Sequence, residues 1–426
     1  MVNQVTSLAR TTPGVLSGLA LLLIVVGLAA GVFSAVGVQR RSQALDDLAA
    51  RSGPLSVAAQ EIYSRLSDAD ATASGAFLSG GLEPAQDRLR YENDIAQASS
   101  ALAIAVAAHD PTDVTRDGSP LATLSRQLPV YTGLVETARA NNRQGLPLGV
   151  AYQREASSSV MTGQLLPAAK QLYEDEVTSV SADQDRAGSF PVLEILVGLI
   201  LLAVLVVAQV YVRRHTNRVF NVGLVAGTLA AVVSLLWVSV ATFGVIGDVS
   251  ASRDEGSAQV DVLAKARISA LQARADETLT LVARGSGAQY EKDFATKRDE
   301  MNAALDSAQS KATDSGVRDV VTRARDNVKV WLDAHGGIRK ADDSGDYANA
   351  VKLAVDPTAT TGARVPFDKL DQVLRGGIDQ TRKAFNDRVG AANGGLGGTV
   401  VVVVLLAVIV AVGSTAGIWQ RLKEYR

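Results

Sequence analysis

Three histidines, many carboxylates and arginines, and no cysteine are what this 426-residue chain offers for chemistry. The lack of cysteine excludes disulfides, thiolate nucleophiles and Cys-based metal sites. His109, His215 and His335 are scattered along the chain and do not converge on one site. No H-E-x-x-H, P-loop, G-x-S-x-G elbow or G-x-G-x-x-G after a strand occurs. Paired carboxylates such as Asp68 with Asp70, or Asp342 with Asp343, have the residue types for general acid–base work. Their positions on helix faces and at loop ends read instead as solvated surface. The expectation is a chain with no catalytic residue, no metal and no cofactor, and not an enzyme.

The elements that would position such residues are set by four apolar blocks. These run from Val15 to Val38 (with LALLLIVVGLAAG), Val192 to Val212, Val222 to Ile246 and Leu396 to Ile418. Each has roughly 20 residues or more and an uncharged centre, enough to cross a hydrocarbon core of about 30 Å. The first block exceeds the roughly 7–15 residues of a signal-peptide core, so despite Ser34, Ala35 and Gly37 behind it an uncleaved anchor is expected. Inside the spans the only acidic residue is Glu194, at the outer end of the second, which disfavours a transporter or channel. Small residues recur at helix-packing spacing: Gly27 with Gly31, Gly223 with Gly227, Gly413 with Gly417. Gly390 to Gly395 precedes the fourth span as a hinge or a frayed junction.

Charge sets the orientation. The loop RRHTNR between spans two and three has Arg213, Arg214 and Arg218 and no acid, and short loops of this kind stay in the cytoplasm. Arg421, Lys423 and Arg426 in the C-terminal tail and Arg10 near the start agree; Arg40 and Arg41 dissent but are followed at once by Asp46 and Asp47. The formal net charge of −2, with signs interspersed, gives no nucleic-acid face. The expected organisation is span 15–38, extracytoplasmic helical bundle 39–190, span 192–212, cytoplasmic loop 213–218, span 219–246, second bundle 247–395, span 396–418 and cytoplasmic tail 419–426. Both termini are then cytoplasmic, in a multi-pass plasma-membrane protein that touches lipid.

The order span, polar segment, span occurs twice, and the copies share sequence. Ala69-Asp70-Ala71-Thr72-Ala73-Ser74 matches Ala275-Asp276-Glu277-Thr278-Leu279-Thr280. Thr162-Gly163 with Pro167 and Lys170 recurs as Thr361-Gly362 with Pro366 and Lys369, and Tyr131 and Trp331 fall at similar places. Leu48, Leu55, Ile62, Ala69 and Ala76 recur every seven residues, with Ala59, Leu66 and Ala73 beside them; Ile268, Ala275 and Val282 repeat the stripe, flanked by Leu271 and Thr278. Breaks at Gly80-Gly81, His109 to Pro111 and Asn142 to Pro147, and at Gly285 to Gly287, Thr313 to Gly316 and Asp342 to Asp346, leave four helices per copy. The fold class expected is therefore an all-α membrane protein with four transmembrane helices and two tandem extracytoplasmic four-helix bundles. A first helix of about 40 residues from Gln39 would reach roughly 60 Å at 1.5 Å per residue, kinked or restarted at Gly53-Pro54.

Bundles whose end helices continue into spans resemble the ligand-binding domains of chemoreceptors, which work as dimers; here the duplication would supply both bundles in one chain. No kinase, cyclase or methylation helix follows, so output must pass to a separate protein. The docking candidates are Arg213, Arg214, His215, Arg218, Arg421, Lys423, Tyr425 and Arg426, equally readable as topology determinants facing lipid headgroups. Four spans, two outer helical segments, tiny inner segments and an Ala/Gly/Val/Arg-rich composition resemble the actinobacterial GlnX-type membrane proteins. That resemblance implies a relay of glutamate or glutamine availability from an extracytoplasmic solute-binding lipoprotein to the cytosolic serine/threonine protein kinase G. The alternatives are a direct chemoreceptor-like small-molecule sensor, with Arg65, Asp70, Arg274 and Asp276 lining a cleft, and a structural membrane scaffold.

Overall fold

A computed structural model describes residues 12–216, 221–312 and 314–423. Among them there is no strand. The chain is an all-α membrane protein, and its described residues include four helical runs long and apolar enough to cross a membrane: Gly14–Ser79, Leu148–Arg214, Val222–Val282 and Arg364–Gln420.

The residues divide into two compact units. One comprises Met1–Asp47, Asp183–Ser250 and Arg388–Arg426 and holds the apolar helices. These are α1 (Thr12–Asp47), α8 (Val192–Thr216), α9 (Val222–Ala251) and α15 (Thr399–Lys423). Small residues let them approach closely, as packing inside lipid requires. A Cβ on Gly31 would stand only 2.4 Å from the Ala407 Cβ, and one on Gly223 2.4 Å from the Gly413 carbonyl oxygen. All three glycine pairs singled out in the sequence thus lie at or beside crossings with α15, or within it. Gln209 donates to the Leu224 carbonyl (3.1 Å) and the Thr228 hydroxyl (2.7 Å), satisfying its amide between α8 and α9.

The other unit comprises Leu48–Ala182 and Ala251–Asp387, so both copies of the repeat share it. Copy one supplies α2 (Gly53–Ser79), α3 (Ala85–Ala108), the short α4 (Pro111–Thr115), α5 (Pro120–Arg143), α6 (Leu148–Arg154) and α7 (Leu166–Gly188). Copy two supplies α10 (Ala258–Val282), α11 (Ala288–Lys311), α12 (Ser315–Asp343), α13 (Tyr347–Val355) and α14 (Arg364–Gly395). The turns after the first and third helix of each copy use the same device, a glycine in the left-handed region: Gly80 and Gly285, Gly145 and Gly345. Each copy has its own core, around Ile62, Leu66, Tyr131 and Met161 in one and Leu263, Phe294, Trp331 and Phe367 in the other. Phe77, Leu78 and Ala138 of copy one join the copy-two core.

Among the described residues three segments are π-helical: Leu48–Ser52, Glu155–Leu165 and Ser252–Ser257. The first two end just before Pro54 and Pro167. A proline ring clashes with the carbonyl four residues back, and the wider π turn makes room for it, so the expected kink at Gly53-Pro54 becomes a π turn in a helix that continues. Copy two also has a break that spacing did not indicate. Asp356 accepts from the Thr358 N–H (2.8 Å) and hydroxyl (2.7 Å), which closes a turn around Pro357 and splits the fourth helix into α13 and α14. Gly390–Gly395 is helical; the interruption falls one step later, at Leu396–Gly398, with Gly398 at φ 74°.

Candidate functional site

The two first helices, α2 and α10, are the central elements of the shared unit. From Ser64 to Ser74 nearly every side chain of α2 is buried, and from Leu263 to Val282 the same holds for α10. A helix buried all round favours small side chains, and the Ala, Ser and Thr residues of SDADATAS and of ALQARADETLT supply them. The few charges that remain are therefore costly unless paired.

Asp68, 1% exposed, is the centre of a cross-copy ion cluster. One of its oxygens accepts from Arg90 of α3 at 2.8 Å, the other from Arg267 of α10 at 3.3 Å and Arg375 of α14 at 3.2 Å. Arg267 donates through Nε to Asp371 at 2.6 Å, and Arg375 reaches the other Asp371 oxygen at 2.8 Å. Arg90 also pairs with Asp368 at 3.1 Å. Burial works against the Asp371 carboxylate, yet Arg267, Arg375 and Arg90 outweigh it and hold its carboxyl below the ordinary value. Nearby, Arg364 of copy two meets Asp87 of copy one at 3.0 Å. At other points of the seam, Tyr173 donates to Asp261 at 3.1 Å and Ser158 meets Tyr290 at 2.9 Å.

Two clefts flank the cluster. A small one of about 50 Å³ lies between α2 and α14, with Thr72, Arg274, Arg364 and Phe367 in its wall. An open groove of about 580 Å³ runs over α2, α3 and α14 and is lined by Arg65, Asn93, Asp94, Gln97, Gln372 and Arg375, among others.

Within each copy a buried acid joins the first helix to the third. In copy one Tyr131 donates to Asp70 at 3.1 Å and Ser157 at 2.7 Å; burial raises the Asp70 carboxyl to about 6 against these bonds. In copy two the buried acid is Glu277, bonded by Trp331 Nε1 at 3.4 Å, by His335 Nδ1 at 3.0 Å and by Arg274. His335 Nε2 faces Glu291 at 3.1 Å, and the ring stacks on Phe294 with centroids 3.8 Å apart. Burial opposes protonation of His335, but its bonds to the two glutamates prevail and raise it to about 9. With both ring nitrogens facing carboxylates, the doubly protonated form is the one that fits.

Of the cleft candidates, Arg65 does line the open groove, paired with Asp94 at 3.1 Å. Arg274 lines the small cleft while bonding the Ala354 carbonyl at 2.6 Å. Asp70 is in the copy-one core, and Asp276 is half-buried, its carboxyl raised to about 8 by burial, then by Asp293 and Asp70. The four do not form one site. Arg213, Arg214 and Lys423 are exposed, Lys423 lying 5.1 Å over the Trp419 ring. Arg218, Tyr425 and Arg426, and the side chains of His215 and Arg421, lie outside the described residues. Asp68 was read with Asp70 as a solvated carboxylate pair, but both are buried, Asp68 among arginines. Arg90, Arg267, Asp371 and Arg375 carried no spacing signal, and only Asp68 and Arg267 stand out in the sequence as charges inside stretches otherwise small and apolar.

Residues 44–185 match the model of a family described as the actinobacterial sensor domain. That segment runs from the end of α1 through copy one into α7; copy two lies outside the match. A sensing or signalling role follows for a membrane protein of this kind. No curated protein and no solved structure matches the chain.

The His335 geometry sets a pH dependence. A histidine whose folded value is raised from 6.5 to about 9 contributes stability that is fully present below 6.5 and lost as pH rises through 9. Asp70 and Asp276, also raised, favour the folded state towards lower pH as well. Thermal unfolding of the intact protein should therefore fall from pH 6.5 to 9.5, by an amount on the order of 2–3 kcal/mol for His335. His335→Gln should flatten that fall, and an equal slope in the variant would refute the assignment.

Proposed function

We propose that the chain is a transmembrane signal relay whose two-copy helical unit is extracytoplasmic and whose output is taken by a separate cytosolic protein. The observation that carries this reading is the pairing of α2 with α10 through the Asp68 cluster. Each of these helices continues without a break from a candidate span, Gly14–Ser79 and Val222–Val282. A shift of one first helix against the other must rearrange buried ion pairs, and buried pairs have discrete arrangements rather than a continuum. The similarity of copy one to a sensor domain supports the input side. The basic loop with Arg213, Arg214 and Arg218 supports a cytoplasmic output.

The more specific reading follows the resemblance to GlnX-type proteins. A solute-binding lipoprotein that has taken up glutamate or glutamine docks on the outer unit, and a cytosolic serine/threonine kinase reads the inner loop. Leu82, Leu146 and Leu148 are exposed on adjacent turns of copy one, joined by the Asn142 to Phe77 hydrogen bond (2.9 Å), and give such a partner an apolar landing point.

Arg213→Gln, Arg214→Gln and Arg218→Gln together should weaken co-purification of the kinase at unchanged membrane expression; unaltered capture overturns the loop's role. Orientation is checked independently. Because the chain has no cysteine, single cysteines at the exposed Ala288 and Arg214 report their side by labelling of intact cells with an impermeant maleimide. Ala288→Cys should label and Arg214→Cys should not.

A further inference from the structure

The open groove beside the ion cluster contains a pair of groups that the fold leaves incomplete. Asp94 of α3 is 3% exposed, and only one of its oxygens has a partner, Arg65 at 3.1 Å; the other, Oδ2, is buried and accepts from nothing. Across the groove Arg375 of α14 gives one terminal nitrogen to Asp68 and Asp371, while its buried Nε donates to nothing. A buried acceptor and donor left open cost free energy that a bound molecule would recover. The charged groups around Asp94 are Arg65 and Asp68 of α2, Arg90 of α3, Arg267 of α10, and Asp368, Asp371 and Arg375 of α14.

From these placements we infer that the groove between α2, α3 and α14 binds a small zwitterion of the α-amino-acid type, its ammonium on Asp94 and its carboxylate on Arg375. Both charges of the ligand then meet an opposite charge already positioned by the fold. The groove's amides, Asn93, Gln97 and Gln372, offer donors and acceptors to a polar side chain. Its volume of about 580 Å³ lies within the range of small-molecule sites. Because its walls come from both copies, an occupant bridges copy one to copy two at the seam that carries the proposed signal. The inference rests on the relay reading for that consequence, and not for binding itself.

A second line of support is protonic. Burial, then the Asp68 charge, raise the Asp94 carboxyl to about 7 against Arg65 and Arg90, so near neutrality a fraction of the groove carries a proton where the ammonium would sit. Binding must displace that proton to the buffer.

The test is calorimetry on the full chain in nanodiscs at pH 7, with serine, asparagine, glutamine, aspartate and glutamate each as probe and butylamine and butyrate as half-ligands. At least one amino acid should bind saturably and the half-ligands at least tenfold more weakly. Asp94→Asn and Arg375→Gln should each weaken binding at least tenfold. Gln372→Leu, at an exposed position on the rim, should weaken it severalfold with the thermal unfolding of the chain unchanged. The heat should vary with the buffer's ionisation enthalpy in the parent chain and not in Asp94→Asn. No heat with any amino acid, equal binding of a half-ligand, unchanged affinity in the variants, or buffer-independent heat would each overturn the site. None of these results touches kinase capture by the inner loop, so the relay stands or falls separately.

Discussion

Asp68→Ala should lower the unfolding free energy of the two-copy unit by about 3–5 kcal/mol, the loss typical when one member of a buried ion network is removed. The reason is what remains. Arg90, Arg267 and Arg375 converge on Asp68; Arg90 and Arg375 keep some water, but Arg267 is itself 3% exposed, so truncation leaves its charge short of a partner where water cannot reach. Asp371 can neutralise only part of it. Asp68→Asn keeps the shape and one acceptor and should cost less. Denaturant unfolding followed by circular dichroism in detergent separates the two; a loss below about 1 kcal/mol for alanine would mean that the cluster behaves as a surface network. Because the cluster joins the copies, disulfide trapping across α2 and α10 should also become less selective in Asp68→Ala.

The second large effect is in the copy-two core. Trp331 is fully buried, meets Phe294 edge-on at 5.7 Å and Phe367 at 5.1 Å, and donates to Glu277. Trp331→Ala should destabilise by about 3–5 kcal/mol through lost transfer energy and the cavity that remains. The loss of one donor to a buried carboxylate adds to it. Trp331→Phe, which keeps most of the volume but not the donor, should cost roughly 1–2 kcal/mol. Equal costs for the two would assign the effect to the Glu277 bond rather than to packing. In copy one Tyr131 occupies the matching place and donates to Asp70, so Tyr131→Phe isolates the hydrogen bond at nearly constant volume.

Much of the helical frame was legible. Four uncharged apolar blocks, seven-residue stripes such as Ile62, Ala69 and Ala76, and glycine breaks at Gly80 and Gly285 follow from bilayer thickness, helix pitch and backbone sterics, which act locally. The break at Asp356 was not, because an Asx turn is set by one side chain and leaves the hydropathy pattern untouched. The candidate site was read only in part. Arg65 was found; Asp68 was noticed but read as solvated, and Arg267 and Asp371 were missed, since their pairing joins residues one to three hundred positions apart and Asp and Arg occur together on other helices such as α7, α11 and α12. Seven-residue stripes suggested one buried face for α2 and α10, whereas both are buried on all sides. The small residues on the supposed outer face, Ser67, Ala71 and Ser74, were the sign that a second layer covers it.

Asp68 stands where copy two has Arg274, when Ala69-Asp70 is matched to Ala275-Asp276. Matched on Pro167 and Pro366, Asp371 corresponds to Leu172 and Arg375 to Glu176. An association of two identical subunits about a two-fold axis presents every contact twice. Here duplication within one chain has freed the halves to diverge, and Arg274, Leu172 and Glu176, at the positions that match Asp68, Asp371 and Arg375, do not repeat the cluster. A single chain therefore counts ligands one at a time: titration should end at one equivalent, with a hyperbolic rather than a sigmoid approach to saturation.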